Sequence, residues 1–179
     1  APMIADAVGR TPNQLRDTHV CAVGFGTPGS LDGPKLRDLA ERQGGTYRAD
    51  ADPLTLKKYF VECFADIFDT FVGKDPIGTL AAGQQGSAPT VHVASGDGEV
   101  VFVSSWDTAV PPGSLRLSVT SPSGTPVNLN APNVESRFGP TWHIVRVKTP
   151  YLLERDGRWT ARLTLSLIHI SEPTRLGMI

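Results

Sequence analysis

Hydrophobic and polar positions change rhythm part-way along the chain. His19-Val20-Cys21-Ala22-Val23-Gly24-Phe25-Gly26 is a short, nearly continuous apolar run. Its length and glycine boundary predict a buried parallel strand rather than a helix. Beyond Thr27-Pro28-Gly29-Ser30, a helix is predicted from about Pro34, with Leu36, Leu39 and Ala40 inward and Lys35, Arg37, Asp38, Glu41 and Arg42 in water. Gly44-Gly45 ends it, because glycine accepts the left-handed conformation of a helix C-terminus. Thr46-Tyr47-Arg48-Ala49 reads as a brief strand. Asp52 and Pro53 then open a second helix whose apolar face is Leu56, Phe60, Cys63, Phe64 and Ile67. Strand, helix, strand, helix is the rhythm of a layered α/β domain.

After Gly73-Lys74-Asp75-Pro76 the period shortens to two, and residues 76–89 read as a linker or the approach to a first strand. Strands are predicted at 90–94, 99–106, 114–120, 141–148 and 158–164. Leu115, Leu117 and Val119 alternate with Arg116, Ser118 and Thr120, the pattern of a strand with one buried face. Pro111-Pro112-Gly113, Ser121-Pro122-Ser123-Gly124 and Asp156-Gly157 supply turns. Such spacing predicts a β-sandwich over residues 90–164. Trp106, Trp142 and Trp159 are expected in or beside its core.

Composition narrows the function more than it names it. A net charge of -1 excludes a nucleic-acid binder that works by bulk electrostatics. No apolar run approaches the length of a membrane-spanning helix. The two cysteines are too few for a disulfide framework or a four-ligand zinc site. Cys21 and Cys63 read as small buried hydrophobes, with a disulfide between them the alternative if the protein is exported. The histidines are scattered without H-x-x-x-H spacing, and the nucleophile pattern G-x-S-x-G is absent, so no catalytic residue is assigned. Gly24-Phe25-Gly26-Thr27-Pro28-Gly29 has the spacing G-x-G-x-x-G. Pro28 lacks an N–H and the helix follows late, so these glycines read as a tight strand exit rather than a nucleotide cradle.

Residues 19–68 resemble the final third of a von Willebrand factor type A domain. The matching features are Val23-Gly24-Phe25-Gly26 at a strand end, Leu36-Arg37-Asp38-Leu39-Ala40 on a helix, Gly44-Gly45-Thr46-Tyr47, and Leu56 with Phe60 on a closing helix. This resemblance implies a doubly wound sheet with helices on both faces. The expected fold class is therefore α/β, a truncated doubly wound sheet over residues 1–75, followed by an all-β sandwich-like domain. It also implies ligand binding through a divalent cation, usually Mg2+, held by an aspartate-x-serine-x-serine motif. The chain has no such motif, so no metal ligand is carried over. Gly26, Thr27 and Ser30 are expected to be neighbours of that site at most.

The second region resembles, more loosely, the immunoglobulin-like or jelly-roll modules that follow such domains in multidomain bacterial proteins. Residues 165–175, LSLIHISEPTR, resemble a translated transposase sequencing adapter, so the tail 165–179 is expected to be non-native and the working protein to be residues 1–164. The expected function is that of a non-catalytic module binding a protein or surface ligand, with an extracytoplasmic or cell-surface location. The alternative is an accessory or regulatory module of a larger enzyme or membrane-associated assembly.

Overall fold

The computed structural model describes residues 19–27, 29–67, 72–166 and 174–178. The chain divides into two compact units, Ala1–Phe71 and Val72–Ile179. In the first, β1 (Ala22–Phe25), α1 (Gly33–Glu41), β2 (Tyr47–Asp50) and α2 (Pro53–Ile67) follow in order, and β1 pairs with β2 in parallel. Asp32 caps α1, its carboxylate accepting the Lys35 N–H at 3.4 Å. Asp52 caps α2, accepting the N–H groups of Leu54 and Thr55 and the Thr55 hydroxyl. Tyr47 lies beneath the Arg37 guanidinium of α1, which sits 5.9 Å from the ring centre. Arg48, pointing to the opposite side of its strand, pairs with Glu62 of α2.

Three expectations change here. The fold class is overturned: among the described residues ten strands and two helices are present, in three sheets, and the chain is mostly β. Among the described residues the parallel sheet has two strands, without the doubly wound arrangement. Cys21 and Cys63 are not free thiols. They form a disulfide that ties the entrance of β1 to α2, with Cα atoms 5.8 Å apart. Finally, Leu54 and Cys63 supply the buried face of α2, whereas Phe60 and Phe64 are 50 % and 59 % exposed. The helical period groups residues correctly but does not say which side of the group faces inward. The side chain of Ile67 lies outside the described residues.

The second unit is all β. One sheet has the order β3 (Ile77–Leu80), β10 (Thr174–Met178), β5 (Glu99–Trp106), β8 (Trp142–Lys148), β7 (Val134–Gly139). The other has β4 (Thr90–Val93), β9 (Gly157–Leu165), β6 (Leu115–Thr120). Every pairing is antiparallel. Val100, Phe102 and Trp106 of β5 and Val145 and Val147 of β8 share one core with Leu115, Leu117 and Val119 of β6 and Trp159, Ala161, Leu163 and Leu165 of β9. The period-two alternation thus builds the two facing layers of a sandwich. Trp106 and Trp159 are buried, while Trp142 sits at the exposed end of β8. The adapter-like segment 165–175 runs from the last residue of β9 to the start of β10, and its residues 167–173 lie outside the described set.

Candidate functional site

The loop at the carboxyl ends of β1 and β2 brings Gly26, Thr27 and Ser30 together. Gly26 leaves the strand at φ +149°, and a Cβ there would come within 2.6 Å of the Ser30 hydroxyl, so glycine is required. Its N–H donates to the Asp50 carbonyl at 3.1 Å. The Ser30 hydroxyl donates to the Thr27 carbonyl at 2.9 Å, and the Thr27 hydroxyl donates to Ser30 Oγ at 3.4 Å. The neighbouring Asp50 carboxylate receives the Asp52 N–H at 2.8 Å.

A hard cation takes several oxygen ligands, carboxylates among them. Among the described residues no group of three or more His, Cys, Asp or Glu is placed to hold a metal ion. The Thr27 and Ser30 hydroxyls hydrogen-bond within this loop itself. A phosphate fares no better. The N-terminus of α1 is already capped by the Asp32 carboxylate, which pairs with Lys35 and would repel an anion at that helix end.

Within the second unit, Ser136 Oγ lies 2.9 Å from His143 Nε2 on adjacent strands. Ser104 donates to the His143 carbonyl at 3.1 Å. Burial holds the His143 imidazole below its ordinary value of 6.5, favouring the neutral ring. The unfolded chain therefore binds more protons than the folded one as pH falls below 6.5. This contribution to stability is complete above that value and is lost as pH drops through the lower folded-state pKa. Urea midpoints measured from pH 7.5 to 5 should fall, and His143→Gln should flatten that slope; an unchanged slope would remove His143 as its source.

A third feature carried no signal in the sequence. Between β8 and β9, Tyr151 and Glu154 exchange two backbone hydrogen bonds, N–H to carbonyl at 3.0 and 2.9 Å, closing a two-residue turn. Its central residues, Leu152 and Leu153, have φ of 49° and 72°. Positive φ at both central positions is the geometry of a type I′ turn, which ordinarily holds Asn-Gly. Leu152 is 60 % exposed and Leu153 93 % exposed.

Both ends of this turn are fixed. Tyr151 is buried, its ring 6.0 Å from that of Trp159, and its hydroxyl accepts the Asn128 N–H at 2.9 Å. The Glu154 carboxylate accepts the Ser123 hydroxyl at 2.6 Å, the Ser123 N–H at 3.1 Å and the Ser121 hydroxyl at 3.2 Å. Those bonds, Ser123's first, hold its carboxyl below the usual range. Thr149 donates its N–H to the Gly98 carbonyl at 3.0 Å and its hydroxyl to the Asp97 carbonyl. Gly157, at φ +125°, lets the returning chain pass Pro122, where a Cβ would come within 2.7 Å of the proline ring. Three loops at one end of the sandwich thus form a rigid base under two leucines held out in water.

No protein-family model, no curated protein and no solved structure matches this chain. Among the described residues no helix is long and apolar enough to cross a membrane.

Proposed function

We propose that this chain is a non-catalytic module that binds a protein or surface ligand, with the Tyr151–Glu154 turn as its contact point. The observation that carries this reading is the conformation and exposure of Leu152 and Leu153 taken together. A left-handed conformation costs an ordinary L-residue about 1–2 kcal/mol. Here it occurs twice in succession, and neither side chain is buried by the fold. Strained residues that the fold leaves largely exposed belong to the class of features found at ligand contacts. The resemblance of residues 19–68 to a family that binds protein and surface ligands supports the same kind of role. The Cys21–Cys63 disulfide supports an oxidising, extracytoplasmic setting.

The reading separates function from folding, and that makes it testable. If the leucines serve contact, turn-compatible residues should make the isolated protein more stable. Leu152→Asn combined with Leu153→Gly is expected to raise the unfolding free energy by about 1–2 kcal/mol, since part of the relief is offset by the greater freedom of glycine in the unfolded chain. Urea denaturation of the double variant measures it. A loss of stability would show that the fold needs both leucines and would overturn the assignment.

A further inference from the structure

We propose that the ligand of the Tyr151–Glu154 turn is a lipid bilayer, which Leu152 and Leu153 enter as a paired aliphatic wedge. This rests on the reading of the turn as a contact point and names its partner. The first argument is size. Two leucine side chains offer on the order of 200 Å² of apolar surface. A stable protein complex buries about 1,200–2,000 Å² in all. A bilayer needs no matching pocket, and insertion of a few aliphatic groups gives the weak, reversible attachment typical of peripheral modules.

The second argument is shape and polarity. With Leu153 almost wholly in solvent, the tip is convex, so it suits a deformable partner. The backbone groups at the two ends of the turn are satisfied by each other, which lowers the penalty of bringing the turn to an apolar boundary. Exposed Lys148 and Arg155 flank the turn in sequence, where long basic side chains can reach lipid phosphates while their stems lie along the boundary. The nearby acids Glu154 and Asp156 offset those two charges, and Glu154 is turned back onto Ser121 and Ser123. The wedge is therefore aliphatic, with no net charge at its margin.

The third argument is preorganisation. The turn is held by Tyr151 and Glu154 on a hydrogen-bonded base, so little ordering is required on insertion. The test uses the full chain with its disulfide intact, in flotation with phosphatidylcholine vesicles, with and without added phosphatidylserine. The wild-type chain should float with both to a similar extent, because aliphatic insertion rather than charge carries the binding. Leu152→Asn with Leu153→Gly should lower the bound fraction at equal lipid by roughly 10- to 100-fold, while Leu153→Trp should retain binding because an indole settles at the membrane interface.

Failure of the wild type to float, or equal flotation of the double variant, overturns the lipid assignment. If the double variant is nonetheless more stable than wild type, the contact reading stands and passes to a partner protein. If it is less stable, both readings fall together.

Discussion

Trp159→Ala is expected to destabilise the second unit by about 3–5 kcal/mol. Trp159 is fully buried on β9, the central strand of its sheet, directly opposite Val91 of β4. Its ring meets Tyr151 edge-on, 64° between planes, and Tyr151 begins the leucine turn. Removing the indole therefore leaves a cavity in the shared core and takes away the packing that fixes one end of the turn. Domains of this size are stable by only about 5–15 kcal/mol, so the loss leaves the sandwich marginal. Urea unfolding followed by the remaining tryptophans should show an earlier midpoint, with Trp159→Phe intermediate. A cost under about 1 kcal/mol would mean that this ring does not organise the core.

Reducing the Cys21–Cys63 disulfide is expected to remove about 4 kcal/mol from the first unit, given the 42-residue separation of the two cysteines. Few apolar contacts among its described residues are available to compensate. Among its described residues the buried hydrophobic side chains are Ala22, Ala40, Leu54 and Cys63 itself, while Phe25, Phe60 and Phe64 are exposed. A small core is one that covalent staples support most. Hydrogen exchange of the full chain, with and without reductant, reads the effect. The amides of β1 and β2 should then exchange freely while those of β5 and β8 keep their protection. Retained protection in the first unit would show that its two strands and two helices hold without the bond.

All seven strands expected from the sequence are found, and where the residues alternate the sequence carries the register itself. Leu115-Arg116-Leu117-Ser118-Val119-Thr120 carries its register in its side chains, and it is β6 almost to the residue. β7 was missed because Val134-Glu135-Ser136-Arg137-Phe138-Gly139 has little apolar content and becomes a strand only by pairing with β8 at the sheet edge. β3 reads as linker or strand approach for the same reason: Ile77-Gly78-Thr79-Leu80 buries only Leu80. The loop of Gly26, Thr27 and Ser30 was legible as a strand exit, since glycine there answers a steric demand four residues away. The leucine turn was not legible, because nothing in Tyr151-Leu152-Leu153-Glu154 itself favours positive φ.

By sequence alone this protein is bound to a helix-bearing first region and a β-rich second one, to near-neutral charge, and to tight turns at its glycines and prolines. These properties follow from side-chain period and backbone sterics, which act over a few residues. Tertiary structure decided which face of α2 is buried, that the cysteines meet, and that strands outnumber helices enough to make the chain mostly β. It also decided that two leucines stand in water. Tyr151 packs on Trp159 and Glu154 is drawn to Ser121 and Ser123, and these distant anchors impose on the residues between them a conformation that their own side chains oppose.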